Sequence, residues 1–530
     1  MTDSAKNASK QIMLSSLRMA TATFLSRILG LVRELVMAAQ FGASIWTDAF
    51  NVAYRIPNLL RDLFAEGAFS SAFVPNFVAV KNQAGLDVAR NLFWSVCTWL
   101  LFITASAGLV IFVFAPELIA LFAPKFARDI EHLQLAAKLT QIMSPYLLLV
   151  SVAALFMGVL NSFHVFFLPA LSPAFYNVAM IFSILLAPWF SQKFSLHPIY
   201  ALAYGVVIGG SLQVLTQLPA LFRHHMGFDR PKMLKANETQ KVFKQLAPGL
   251  VGFAATQVNI LVGTILATST VVGAVSWLQY AFRLFQLPVG ILSVSIGNSN
   301  LVVFSKEWKA GSKQSAIEVL KSSFDLCLIL MLPTAFYLIC ESRELISLIF
   351  QRGKFSAFDS AMTSSALTAY ALGLPFYGLH KIAAPCFYAM DKHKIPMYSS
   401  LFGIAFNILF CVGLIESHGF SILALGTSIS IALNFSILIF LLVRFLDISP
   451  SFLLNVKLLK IFSAAAISAI CLLTIKHYYL SGVEHSVSFF IQALQVSFHA
   501  GIYFSLYAIL MVIQGEGELI KKISKKILRK

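Results

Sequence analysis

Long apolar stretches recur along nearly the whole chain, each closed by a short polar or basic interruption. A helix needs about 20 mostly apolar residues to cross a hydrocarbon layer, and with that window the chain resolves into fourteen segments. The first six lie near 12–40, 45–79, 91–115, 135–160, 165–188 and 198–221. Six more follow near 246–268, 272–303, 322–340, 364–388, 396–415 and 419–443, and the last two near 458–475 and 487–513. Segments 45–79 and 272–303 are long enough to be bent or to extend beyond the layer. The pattern predicts an all-α polytopic membrane protein with about fourteen transmembrane helices. The first run is too long and too rich in arginine for a cleaved signal peptide, and reads as a mature spanning helix.

The largest polar interruption, Arg223 to Lys244, follows the sixth segment and contains Pro231. It reads as a linker between two six-helix halves. The expected organisation is an N-terminal lobe over 1–221, a linker over 222–245, a second lobe over 246–443, and two extra helices with a basic tail over 444–530. Asn51-Val-Ala-Tyr-Arg-Ile-Pro-Asn-Leu-Leu60 echoes Gln279-Tyr-Ala-Phe-Arg-Leu-Phe-Gln-Leu-Pro288, each with an arginine after an aromatic and a proline close by. Six segments per half would relate the halves by an axis along the membrane normal.

Composition agrees. Of 530 residues, 58% are hydrophobic and 12% charged, against about 25% charged in soluble chains. The formal charge of +17 could suggest a nucleic-acid partner, but its distribution does not. With the N-terminus placed in the cytoplasm, 25 of the 40 Lys and Arg fall on that side, seven on the other and eight within segments. That asymmetry is the positive-inside signal, with basic loops suited to anionic headgroups; no basic run is interleaved with aromatics as nucleic-acid binding needs. Both termini are expected in the cytoplasm. The six cysteines and eleven histidines are dispersed, which argues against a disulfide framework, a zinc site or a redox cofactor. No phosphate-binding glycine loop or nucleophile elbow is present, so an enzyme is not expected, and Gly205 to Gly210 reads as close helix packing.

The exceptional residues are charges inside apolar segments. Each charge at the bilayer centre costs roughly 2.5–3.5 kcal/mol on insertion scales. The first two segments nevertheless carry Arg27, Arg33, Glu34, Asp48, Arg55, Arg61, Asp62 and Glu66. Arg27 and Glu34 are seven residues apart and share a helical face, as do Asp48, Arg55 and Asp62. Arg33 and Arg61 each lie six residues after the preceding arginine, with Gly30 and Pro57 between. A break at either would re-aim the second arginine, so at least one of these helices is expected to be discontinuous. Arg283, Asp325 and Lys381 add charge in the second half. Arginines outnumber the deep acids, and the planar guanidinium suits a multi-oxygen anion such as a phosphate. A structural ion-pair network is the plainer reading, weakened because buried pairs stabilise a fold inefficiently.

The run Thr47-Asp-Ala-Phe-Asn-Val-Ala-Tyr-Arg-Ile-Pro-Asn-Leu-Leu-Arg-Asp-Leu-Phe-Ala-Glu-Gly-Ala-Phe-Ser-Ser-Ala-Phe-Val-Pro75 resembles the signature of the MurJ (MviN) family of lipid II flippases. So do Ser26-Arg-Ile-Leu-Gly-Leu-Val-Arg-Glu34, Tyr280-Ala-Phe-Arg-Leu-Phe-Gln-Leu-Pro-Val-Gly290 and Phe350-Gln-Arg-Gly-Lys-Phe355. The resemblance implies a bacterial inner-membrane transporter of the multidrug/oligosaccharidyl-lipid/polysaccharide exporter superfamily. It implies two six-helix lobes around a central cavity, plus two C-terminal helices lining a groove for a polyprenyl tail. By this resemblance Ser26, Arg27, Arg33, Arg55, Arg61 and Arg283 would bind substrate. Glu34, Asp48 and Glu66 would be counter-ions or gate acids, with Lys381 the basic gate partner of Glu66.

Two departures stand out. Many members carry an acid directly before the arginine of the eighth segment, where this chain has Phe282. Some use sodium near segments seven, eleven and twelve, where this chain's deep polar residues include Gln257, Asn259, Asn407 and Asn434 but segments eleven and twelve have no carboxylate, so no metal site is expected. The implied substrate is lipid II, an undecaprenyl-pyrophosphate-linked disaccharide-peptide, moved between leaflets by alternating access. Membrane lipids and other cell-wall synthesis proteins are the further partners. No cofactor is expected, and coupling to the membrane potential or an ion gradient stays open. The rival readings are a flippase for another polyprenyl-pyrophosphate oligosaccharide, a cation-coupled drug exporter and a scaffold for cell-wall enzymes.

Overall fold

The computed structural model of the chain describes residues 3–65, 68–232, 236–449, 456–480 and 488–516, with the side chains of all of these except 3–18, 20, 60–65, 68–72, 245–256 and 479–480. Among the described residues the chain is helical throughout, with no strand. It divides into two compact units, residues 1–276 and 277–530.

The first unit contains α1 (Asp3–Phe41), α2 (Ile45–Ala65), α3 (Ala68–Ala84), α4 (Leu86–Val113), α5 (Ala115–Phe122) and α6 (Ile130–Met143). It continues with α7 (Tyr146–Ser162), α8 (Phe167–Leu185), α9 (Ala187–Phe194), α10 (Ile199–Leu215), α11 (Leu218–Arg223) and α12 (Asn237–Ser269). At the junction, α13 (Ala274–Pro288) passes through a π turn, Val289–Ser293, into α14 (Val294–Lys309). The second unit continues with α15 (Lys313–Cys340), α16 (Ser342–Phe350), α17 (Ala357–Ala371), α18 (Leu374–Ala389), α19 (Lys394–His418), α20 (Ser421–Leu446), α21 (Val456–Leu480) and α22 (Phe489–Met511).

Ten helical stretches among the described residues are long and apolar enough to cross a membrane. The other four predicted segments are helical too. They are α1 and the α2–α3 pair, which carry charges, α12, whose side chains are described only in part, and the divided α17–α18 pair.

The break expected at Gly30 or Pro57 is found at neither. α1 runs through Gly30 and α2 runs through Pro57. A Cβ at Gly30 would stand 3.5 Å from Asn177 of α8, an ordinary van der Waals contact, so the helix meets its neighbour here without needing the glycine. The chain turns elsewhere. Gly42, at φ 65°, ends α1 in the left-handed region and returns its N–H to the Ala38 carbonyl at 2.8 Å. Pro145 precedes α7 and divides the fourth segment, while Gly373 separates α17 from α18. Pro288 withholds the N–H that would close the rung to Leu284, and the adjoining π turn absorbs the mismatch.

In the first unit α8 packs between α1 and α10. The glycines of α10 make that contact close: an added Cβ at Gly209 would lie 2.7 Å from the Tyr176 ring and 3.2 Å from its Cα. A second core of Phe73, Phe77, Phe93 and Phe156 joins α3, α4 and α7. After the polar loop, α12 packs against α2, α3, α4 and α5 of the first unit.

In the second unit α15 packs against α14, α17, α18 and α21, with α22 alongside. Pro333 lies inside α15 and cannot donate to the Ile329 carbonyl. The Tyr507 hydroxyl of α22 donates to that carbonyl at 3.0 Å, and Tyr503 donates to the Pro333 carbonyl at 3.0 Å. Ion pairs flank the tyrosines: Lys457 with Asp325, and Lys476 with Glu341 at 3.1 Å and Glu344 at 2.7 Å. Glu341 is fully buried and also meets His499 at 3.1 Å. Replacing Tyr507 with Phe leaves that buried carbonyl without this donor and should cost about 1–3 kcal/mol. Thermal unfolding in detergent reads this, and an unchanged midpoint would mean that Ile329 needs no help.

Candidate functional site

The charges of α1 are organised by α8. Arg33 is 11% exposed and Glu34 1%, so both have left solvent. Adjacent helical residues do not face each other, yet the long guanidinium folds back and Nη2 donates to Glu34 Oε1 at 2.5 Å. Nη1 donates to Asn177 Oδ1 at 3.2 Å. Asn177 in turn donates through Nδ2 to the Ser26 carbonyl at 3.0 Å. One amide therefore ties Ser26 to Arg33 and fixes the direction of the guanidinium. The Tyr176 ring lies 5.7 Å from the guanidinium carbon and 5.6 Å from the Tyr146 ring, which is itself 6.0 Å from that of Tyr54. The result is a cation held against an aromatic wall. Because α1 is continuous, the seven-residue spacing keeps Arg27 on the Glu34 face, but Arg27 is exposed where Glu34 is buried.

α2 carries the second group. Asp48, Asn51 and Arg55 follow one another at helical spacing. Asp48 accepts from the Gly273 N–H at 2.7 Å, the Ser276 N–H at 3.0 Å and the Ser276 hydroxyl at 2.6 Å. Helix starts leave such N–H groups without intrahelical partners, so the carboxylate satisfies the chain where α13 begins. Asn51 donates to the Ser276 hydroxyl at 3.2 Å, and Arg55 Nη1 donates to Thr264 of α12. From Asp48 to Arg55 the stripe read from the sequence is a polar seam along α2, facing residues 264–276.

In the second unit Arg283 is exposed on α13. Phe282, where many relatives of this chain were expected to carry an acid, packs 5.7 Å from Phe285 and 5.3 Å from Tyr370. Lys381 is exposed on α18, its Nζ 5.8 Å from the Tyr377 ring centroid. Pro385 leaves the Lys381 carbonyl without its helical N–H. Gly297 of α14 sits against that carbonyl so closely that a Cβ there would be 2.6 Å away. Asn434 is engaged by Ser399 and Ser400, and Asn407 by Cys411.

The structure thus gathers Ser26, Arg33 and Glu34 around Asn177, and Asp48 and Arg55 along the α2 seam. The Arg61 side chain and Glu66 lie outside the described residues. Sequence reasoning missed Asn177, Tyr176, Thr264 and Ser276. A lone amide in the apolar run 165–188 is a faint form of the signal that the charges gave loudly, and weighing neutral polar groups the same way would have found Asn177.

An all-helical, multi-pass chain with arginines and acids set inside apolar helices is built as a membrane transporter. The fold is shared with a multidrug resistance MATE family transporter of the MOP superfamily, in an inward-facing conformation, which superposes with TM-score 0.64 at 11% identity, over 81% of this chain and 98% of its own. The family model "Lipid II flippase MurJ" matches residues 37–493, and the chain belongs to that family. A protein named "Probable lipid II flippase MurJ" from Buchnera aphidicola subsp. Acyrthosiphon pisum is 36% identical over 78% of this chain and 81% of its own. "Lipid II flippase MurJ" from Burkholderia cenocepacia is 35% identical over 80% and 82%. A solved structure, "Lipid II flippase MurJ, inward closed conformation", superposes with TM-score 0.76 at 26% identity, over 94% of this chain and 99% of its own.

Proposed function

We propose that this protein carries lipid II from the cytoplasmic to the periplasmic leaflet of a bacterial inner membrane, with both termini in the cytoplasm. Membership of the family supports the substrate. The arrangement of Arg33 supports the means: two of its N–H donors are used by Asn177 and Glu34, and its fork is aimed by contacts from two helices. Such a preset guanidinium suits the pyrophosphate, whose oxygens accept paired hydrogen bonds. Arg27, Arg55, Arg61 and Arg283 are the further proposed pyrophosphate ligands. Glu34 holds the cation when substrate is absent and yields part of it when substrate arrives. That exchange gives the substrate different interactions in different states, as any ligand-driven conformational change requires. The polyprenyl tail stays in lipid, and alternating access moves the head group. Membrane potential, at about 2.3 kcal/mol per charge per 100 mV, is the proposed bias on the return of the unliganded, positively charged protein.

The test is translocation of labelled lipid II in proteoliposomes. Arg283→Ala should lose most of the rate and Arg283→Lys should recover part of it. Wild-type rates in the alanine variant would remove Arg283 from the site.

A further inference from the structure

The chain between α11 and α12 does not hang free of the first unit. It is strapped along the side of α4. The Trp94 indole donates to the Gly227 carbonyl at 2.7 Å, and Asn91 donates to the Arg230 carbonyl at 2.9 Å while accepting from the Lys232 N–H at 2.9 Å. Arg90 meets Asp229 at 3.5 Å and Asp87 at 3.0 Å. Asp229 is held below the ordinary carboxyl range: partial desolvation raises it, and the Arg230 N–H, Asn91 and Arg90 together outweigh that. These contacts fix the strap where its composition matters. Trp94 lies eight residues into α4, about 12 Å along the axis of a helix apolar enough to span. Phe228 packs 4.8 Å from Trp94 and 5.8 Å from Phe222. Phe228 is nonetheless 76% exposed and Phe222 46%.

A phenylalanine three-quarters exposed beside a spanning helix is costly in water and at home at the acyl–headgroup boundary, where aromatic residues collect. Arg223, Arg230 and Lys232 are exposed in the same strap, and its one acid, Asp229, is taken by Arg90. Apolar rings next to exposed basic side chains match one surface, a leaflet carrying anionic phospholipid. We propose that the 222–232 strap is an interfacial anchor for anionic phospholipid. Phe222 and Phe228 enter the acyl boundary, and Arg223, Arg230 and Lys232 gather phosphodiester headgroups around them. The anchor is independent of the transport reading and would hold the junction of α11 and α12 at constant depth.

Phe228→Trp tests this in vesicles of mixed phosphatidylcholine and phosphatidylglycerol, with brominated chains on one lipid or the other. The expected signal, taken as the difference from the unsubstituted protein, is blue-shifted, quenched by bromolipid, and quenched more by brominated phosphatidylglycerol. Replacing Arg223, Arg230 and Lys232 with Gln should leave the quenching but erase its lipid preference, with enrichment falling roughly fivefold per cation. A red-shifted emission quenched by aqueous iodide and indifferent to bromolipid would overturn the proposal and mark the strap as a surface for a soluble partner. Equal quenching by both lipids would overturn its anionic selectivity.

Discussion

Arg33→Ala is expected to abolish lipid II translocation and also to lower stability, and the two losses can be separated. Removing one partner of a buried ion pair typically costs about 3–5 kcal/mol. Glu34, at 1% exposure, is the group that would bear that cost. The double variant Arg33→Ala with Glu34→Gln removes both charges and should recover most of the thermal stability while remaining inactive. If it instead translocates lipid II at the wild-type rate, the pair is structural and the anion site lies elsewhere. Asn177→Ala should fall between, because Arg33 keeps its charge but loses the bond that aims it. These comparisons use proteoliposome translocation for activity and thermal unfolding for stability.

Asp48→Ala should be the most destabilising single change in the α2 seam. The carboxylate accepts three hydrogen bonds, two of them from backbone N–H groups that alanine would leave without this acceptor. An unsatisfied buried donor costs about 1–3 kcal/mol, so a loss of about 3 kcal/mol or more is expected. Asp48→Asn keeps the shape and one accepting oxygen and should lie midway. Thermal unfolding should therefore rank wild type above Asn above Ala. An alanine variant as stable as wild type would show that water or a rearranged loop replaces the carboxylate.

How far the sequence was legible depends on the range of each interaction. Asp48, Asn51 and Arg55 share a face because helical periodicity alone decides it, and the seam could be read in advance. Asn177 could not, since its value lies in reaching Ser26 and Arg33 more than 140 positions away. Gly30 and Pro57 were misread for a related reason. Local propensity makes both helix breakers, but within a membrane the backbone has no water to bond and tends to stay helical. The same logic reversed at Pro145 and Gly373, where breaks inside apolar runs went unpredicted. The family motif names arginines and acids, but not the amide, hydroxyl and aromatic groups that hold Arg33, Asp48 and Arg55 in the structure.

The rung broken by Pro333 bears on how the chain is made. During synthesis α15 enters the membrane about 170 residues before Tyr507 emerges, so the Ile329 carbonyl must wait in lipid for its donor. Each such group costs several kcal/mol in hydrocarbon. The second unit therefore cannot reach its final form until the last helix is threaded beside α15. A nascent chain stalled or truncated before Phe489 would carry an unfinished bundle, and membrane quality control would have a specific polar defect to recognise.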